Sequence, residues 1–206
     1  MLRYLEIHPQ NPQPRLIQQA VDVVRDGGVL VYPTDSGYAL GCHLGDKNAV
    51  DRIRAIRNLD DKHNLTLVCR DLSEIATYAQ VDNQAYRLLK SLTPGPYTFI
   101  LDATREVPRR LQHPKRKTIG IRVPSHPIVD ALLQNLGEPL ISTTLQMPGE
   151  DAPLTEPLEI KERLRHQVDA IIDGGTGAAV PTTMVDLTGP VPVVMRHGAG
   201  DVSMFE

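Results

Sequence analysis

The chain has 206 residues and 25 acidic against 22 basic side chains, a formal net charge of −3. Apolar residues at 41% and charged residues at 23% are ordinary for a soluble globular protein, which excludes a long disordered or fibrous chain, and the length suits one large domain with a substantial core. Cys42 and Cys69 are isolated thiols outside any CxxC or zinc-type spacing, so a disulfide scaffold is excluded and a reducing compartment is expected.

In chain order, Leu16, Ile17, Ala20, Val21 and Val24 fall at helical spacing between Pro14 and the Gly27-Gly28 pair that stops the helix. Residues 29–32 form a short apolar run that reads as a strand, followed by a loop over residues 32–42. Asp46 reads as the N-cap of a helix with Ala49, Val50, Ile53 and Ile56 on one face. Residues 65–69 read as a buried strand, and Asp71 and Asp82 as caps of two short helices ending near Leu92. Residues 97–103 and 118–123 are strand-like. Ser125 with Pro127 opens a helix that Gly137 closes. Residues 140–143 are a strand, 157–165 a helix, and 170–172, 184–187 and 191–195 strands. Helices and strands alternate at first and strands cluster at the end, which implies an α/β fold leaning towards α+β, with one mixed sheet. Residues 1–206 read as one domain with a core over about 14–200. Residues 1–14 lack the apolar segment of a secretory signal, and no apolar run approaches the roughly 20 residues of a membrane span. The expectation is a cytoplasmic protein without membrane contact.

The common nucleotide and hydrolase signatures are missing. There is no GxxxxGK[ST], and Gly174-Gly175-Thr176-Gly177 lacks the helix that a dinucleotide site needs after it. Ser36-Gly37 lacks the flanking glycine of a nucleophile elbow. The seven histidines form no HExxH or i,i+4 pair, so no metal site is expected. Three segments are less generic. The Tyr32-Pro33-Thr34-Asp35-Ser36-Gly37 stretch follows a strand with hydroxyls and a carboxylate suited to an amine or a ribose, or else to a self-capped turn. Pro94-Gly95-Pro96-Tyr97-Thr98 is a rigid turn entering a strand. Residues 105–122 carry Arg105, Arg109, Arg110, Lys115, Arg116, Lys117 and Arg122 against Glu106 alone, a local charge of +6 that leaves −9 for the rest. That segregation fits phosphate, of a nucleotide or of an RNA backbone, or a solvated basic loop. With no tryptophan and two phenylalanines, little is available for stacking on bases, so contact with phosphates and duplex shape is the expectation.

Pro33-Thr34-Asp35, Pro94-Gly95-Pro96-x-Thr98, Arg122-Val123-Pro124-x-His126-Pro127, Pro139-Leu140-Ile141-Ser142-Thr143, Thr182-Thr183-x-Val185-Asp186 and Arg196-His197-Gly198 occur in this order over nearly the whole chain. In that order and at those separations they resemble the YrdC/YciO family, closest to its enterobacterial YciO branch. The resemblance implies a twisted mixed sheet with a concave, positively charged face, and affinity for nucleotide and double-stranded RNA. In the family's synthase branch, threonine, bicarbonate and ATP become threonylcarbamoyl-adenylate and pyrophosphate on the way to a modified adenosine of transfer RNA. No tightly bound cofactor is implied, and Mg²⁺ would accompany ATP.

Two synthase signatures are changed in this chain. The Lys-x-Arg motif falls on Ile56-Arg57-Asn58, with Arg57 between the two expected positions. The Ser-x-Asn motif falls on Thr144-Leu145-Gln146. Losing two charge-assisted contacts of roughly 1.5–3 kcal/mol each weakens phosphate stabilisation by about two to four orders of magnitude, so Ile56→Lys with Asn58→Arg is expected to raise pyrophosphate release. The candidate substrate and nucleotide residues are Thr34, Asp35, Arg57, Lys62, Arg122, Ser142, Thr144, Gln146, Thr182 and Arg196. The candidate RNA or phosphate patch is Arg105, Arg109, Arg110, Lys115, Arg116 and Lys117. Three readings follow: a nucleotide- and double-stranded-RNA-binding protein with weak or altered threonylcarbamoyl-adenylate chemistry, including hydrolysis; a non-catalytic module for double-stranded, transfer or ribosomal RNA; and a competent synthase. Partners are accordingly ATP or AMP, threonine or bicarbonate, and RNA.

Overall fold

A computed structural model describes all 206 residues. Ten strands form one mixed sheet in the order β1-β8-β2-β3-β7-β4-β6-β5-β9-β10. The strands are β1 (Arg3–Glu6), β2 (Leu30–Thr34), β3 (Gly37–His43), β4 (Thr66–Val68), β5 (Tyr97–Asp102), β6 (Thr118–Arg122), β7 (Leu140–Thr144), β8 (Ala170–Asp173), β9 (Thr183–Asp186) and β10 (Val193–Arg196). The helices are α1 (Pro14–Arg25), α2 (Lys47–Arg57), α3 (Leu72–Tyr78), α4 (Asn83–Leu92), α5 (Pro127–Leu136) and α6 (Pro157–Leu164).

The helices start where short polar side chains satisfy free N–H groups. Asp46, Asp71 and Asp82 accept from Ala49, Glu74 and Ala85 N–H at 2.9, 2.9 and 2.8 Å. Pro14 and Pro127 occupy first-turn positions. At α5 the cap is His126 in place of Ser125: its Nδ1 accepts from Ile128 N–H at 3.1 Å.

Two strands escape sequence reading. β1 is short and charged, and pairs in parallel with β8 at the edge of the sheet. β3 occupies most of the segment read as a loop. It follows β2 after the two-residue turn Asp35-Ser36, with Thr34 opposite Gly37. Apart from His43, β3 is buried along its length, so it has none of the apolar–polar alternation by which half-exposed strands are recognised.

The core explains where a ligand can reach the sheet. On one face a continuous apolar cluster runs from Ile171 through Val31, Leu40, Ile141, Leu67, Ile121 and Phe99 to Val185. On the other face the apolar cluster, formed with α1 and α5, includes Leu30, Tyr32, Ala39, Leu140 and Val68 and stops there. No side chain of β6, β5, β9 or β10 joins it. That half of the second face is without a helix, and Thr98, Arg122, Met184 and Arg196 stand on it.

Candidate functional site

An open cleft of about 480 Å³ occupies the uncovered half-face and the adjoining ends of β2, β3 and β7, a size suited to a small molecule. Thr34, Arg57, Lys62, Arg122, Ser142, Thr144, Gln146, Thr182 and Arg196 all line it. Its rim comes from two loops, residues 151–153 before α6 and 179–182 before β9. Gly177 N–H donates to Thr155 O at 2.8 Å, tying those loops together.

Three guanidinium groups reach the cleft from three different elements. Arg57, at the end of α2, donates from Nη1 to Thr143 Oγ1 and Thr144 O, both at 2.8 Å. Arg122, 7% exposed at the end of β6, donates to the Asp35 carboxylate and, at 2.8 Å, to Ser36 Oγ. Arg196, at the end of β10, donates from Nε to Thr182 O at 2.9 Å and from Nη2 to Thr182 Oγ1 at 2.8 Å. Burial holds the Arg57 pKa below its ordinary value, and burial with the neighbouring Arg122 does the same for Arg196. The buried Nε of Arg57 and that of Arg122 have no acceptor in the protein. Orphaned buried donors on crowded cations are costly unless an anion takes them. The opposing acid on the lining is Asp151.

Asp35 is not on the lining. One carboxylate oxygen takes Arg122, and the other accepts Ser125 N–H at 2.9 Å, so the carboxylate expected to meet an amine or a ribose is spent on holding an arginine. Thr34 Oγ1 donates to Gly37 O at 2.7 Å and accepts Ser36 N–H at 3.1 Å, which closes the turn behind it.

Hydroxyls make up much of the remaining floor. Ser142 Oγ donates to Leu40 O at 2.8 Å, so the 2.6 Å contact with Tyr32 has the tyrosine as donor. Burial pushes the Tyr32 hydroxyl up to about 12, and it stays protonated. Thr98 and Thr182 share a hydrogen bond of 2.7 Å. The closing Arg196-His197-Gly198 motif also has a packing reason: a Cβ on Gly198 would lie 2.3 Å from Pro181 O, so only glycine lets that segment lie against the Thr182 rim.

Sequence reasoning missed Tyr32, His63, Thr98 and Asp151 on the lining. Thr98 was visible in the Pro-Gly-Pro-x-Thr segment but read as part of a rigid turn. Tyr32 opens the Tyr-Pro-Thr-Asp stretch but reads as the end of an apolar strand, and His63 and Asp151 carry no local signal.

The basic patch lies elsewhere. Arg105, Arg109, Arg110, Lys115, Arg116 and Lys117 are all exposed on the β5–β6 connection and none lines the cleft. Arg116 pairs with Asp186 at 2.9 Å and Arg110 donates to Leu44 O at 3.2 Å. The histidines largely serve turns: Nδ1 of His8, His43, His113 and His126 accepts nearby backbone N–H groups. Both thiols are buried, and burial pushes Cys42 up to about 12 and Cys69 well above its ordinary value, which leaves them poor nucleophiles. No group of three His, Cys, Asp or Glu side chains is assembled for a metal ion, and no helix is long and apolar enough to cross a membrane.

The model of the Sua5/YciO/YrdC family, described as telomere recombination, matches residues 22–198. The chain is 62% identical over 205 residues to the uncharacterized protein YciO of Escherichia coli K12, covering all of both chains. The crystal structure of E. coli YciO superposes with a TM-score of 0.97 at 61% identity, again covering all of both. Sua5 of P. abyssi complexed with L-threonine superposes with a TM-score of 0.86 at 26% identity, over 96% of this chain and 57% of the larger Sua5 chain.

Proposed function

The chain belongs to the Sua5/YciO/YrdC family, and on that premise we propose that its cleft binds a nucleotide through its phosphates beside a threonine-sized polar acid, and acts weakly or in altered form on the adenylate that joins them. The observation that carries this reading is the convergence of Arg57, Arg122 and Arg196, with two buried Nε donors left over. Guanidinium forks suit phosphate and carboxylate oxygens, and a surface serving only a polyanion backbone needs no recessed, hydroxyl-lined floor. The relative crystallised with L-threonine supports the amino-acid half. Mg²⁺ fits as part of the incoming nucleotide and not as a resident ion, because the lining offers Asp151 without a cluster of acids around it. Bound there, it would screen phosphate charge. The chain's own residues hold the phosphates, orient the acid and keep Arg122 in place.

The test is stabilisation on binding. AMP, ATP and threonylcarbamoyl-adenylate are each added to the full chain, and about 2.7 kcal/mol of protection is expected at roughly 100 times the dissociation constant. Pyrophosphate release from ATP, threonine and bicarbonate is expected to be slow beside an authentic synthase. No stabilisation by any of the three sinks the binding reading, and synthase-like turnover sinks the altered-chemistry part.

A second reading, binding of double-stranded RNA, is favoured by one observation: Arg105, Arg109 and Lys115 are exposed, with no acidic partner. Phosphate-dominated binding weakens log-linearly with salt. An RNA affinity that is flat between low and physiological salt, or no affinity, removes this reading.

A further inference from the structure

His63 stands apart from the histidines that close turns: it lines the cleft while remaining partly open to solvent. The loop that carries it is tightly built. Asn58 ends α2 with a left-handed φ of 54°, Arg54 donates to Asp60 O at 2.7 Å, and Asp60 Oδ1 accepts the N–H groups of Lys62 and His63 at 3.0 and 3.1 Å. The imidazole is thus delivered to the cleft by an anchored turn, with none of its ring nitrogens spent on that turn. The charged groups facing it are Arg57 and Arg54 from α2, Arg196 from β10 and Asp60 from its own loop.

Resting on the adenylate reading above, we propose that His63 is the proton acceptor for a water molecule attacking the acyl carbon of the bound adenylate, so that the chain hydrolyses this mixed anhydride. Water oxygen forms the new bond to the acyl carbon while His63 takes its proton. The bond from that carbon to the phosphate oxygen breaks, and its electron pair leaves with AMP, whose developing charge faces Arg57, Arg122 and Arg196. The imidazolium returns its proton to solvent at the open mouth. The freed carbamate takes up a proton and splits its C–N bond to give threonine and carbon dioxide, which a second water hydrates to bicarbonate.

Two features support this assignment over the tyrosines on the lining. Tyr32 and Tyr38 are pushed up to about 12 by burial and are poor bases near neutrality. Burial, then Arg57, Arg54 and Arg196 against the opposing Asp60, lower the His63 pKa, which keeps the ring neutral and able to accept a proton at pH 7.

The experiment measures AMP release from threonylcarbamoyl-adenylate by the full chain between pH 5 and 8.5, against the uncatalysed rate in the same buffers. The wild type is expected to exceed that rate and to slow on the acid side as one group protonates. His63→Gln is expected to lose about 100-fold or more together with the acid limb, while AMP still raises its melting temperature as in the wild type. Added imidazole is expected to restore part of the rate to His63→Gly. A wild type no faster than buffer, or a His63→Gln chain that keeps its rate and acid limb, overturns the proposal. Absence of AMP or adenylate binding by the wild type overturns the nucleotide reading as well, and is recognised by the missing melting shift before any variant is made.

Discussion

Asp35 grips the Arg122 guanidinium across the turn between β2 and β3, and its second oxygen accepts Ser125 N–H at 2.9 Å. One carboxylate therefore joins the hairpin turn, the end of β6 and the entry to α5. With side chains only 9% and 14% exposed, the pair is held in a setting where removing one partner is costly, because the other is left as a buried charge. Asp35→Ala is expected to destabilise the fold by about 3 kcal/mol and to abolish AMP protection, because Arg122 loses the contact that aims it. Asp35→Asn keeps one acceptor, for Ser125 N–H, but removes the charge and turns an amide N–H towards Arg122, so it is expected to recover only part of the stability and little AMP affinity. Denaturant unfolding with and without AMP separates the two effects. Equal AMP affinity in Asp35→Ala and wild type would mean that Arg122 is not a ligand contact.

Arg57 changes what the altered signature means. Ile56 is 6% exposed and belongs to the main apolar cluster, whereas Arg57, one residue on, reaches the cleft. Asn58 caps α2 in the left-handed conformation. Neither of the two flanking positions faces the ligand space, so the sequence-based expectation for the Ile56→Lys with Asn58→Arg double variant reverses. A lysine at 56 buries an ammonium without a partner, and arginine at 58 adopts a backbone conformation costing about 1–2 kcal/mol. The double variant is expected to melt well below wild type with no gain in pyrophosphate release. Arg57→Ala, by contrast, is expected to fold and to weaken AMP binding about 10- to 100-fold, the range set by one charge-assisted contact of roughly 1.5–3 kcal/mol. Titration calorimetry of the two variants against wild type decides the matter. An active double variant would show that α2 is turned differently from this description.

Legibility followed locality. Asp46, Asp71 and Asp82 were readable as caps because a cap is decided within four residues. The apolar stripe Ala49, Val50, Ile53 and Ile56 was readable for the same reason. Nine of the 26 residues lining the cleft are among the candidates, and the resemblance carried by motifs spread along the chain, more than any local pattern, is what points to them. The open half-face could not be read: Thr98 and Met184 point to it, while Phe99 and Val185, their chain neighbours, point into the core. Which side a helix leaves bare is settled by α1 and α5 packing together over β2, far along the chain. His63 was invisible because its placement depends on Arg54 and Asp60 building a turn, and β3 because it is buried along nearly all its length.

The exposed cations and the cleft make separable claims. If the patch binds RNA, replacing Arg105, Arg109 and Lys115 by glutamine removes three of its charges, and the slope of log affinity against log salt for double-stranded RNA is expected to fall by about 2–3. AMP protection in the same variant is expected to be unchanged, since none of the three lines the cleft. Filter binding across a salt series checks the first outcome and melting the second. An unchanged slope would remove the patch from any RNA contact.

His126 gives the fold an acid-side sensitivity with a defined sign. Its Nδ1 caps α5 by accepting from Ile128 N–H at 3.1 Å, which requires that nitrogen to be free of a proton. Burial lowers its pKa, against the opposing influence of Asp35 and Asp130. The unfolded chain therefore takes up a proton near the ordinary histidine value of about 6.5, while the folded chain resists it until lower pH. The stabilisation is fully present above about 6.5 and drains away as pH falls from there towards the folded value. His63, also lowered, adds a loss of the same sign. Asparagine caps helices as well as any residue and does not titrate. His126→Asn is accordingly expected to match wild type at pH 7.5 and to lose less melting temperature between pH 7 and 5. Parallel melting curves for the two chains over that interval would show that the α5 cap does not contribute to the acid response.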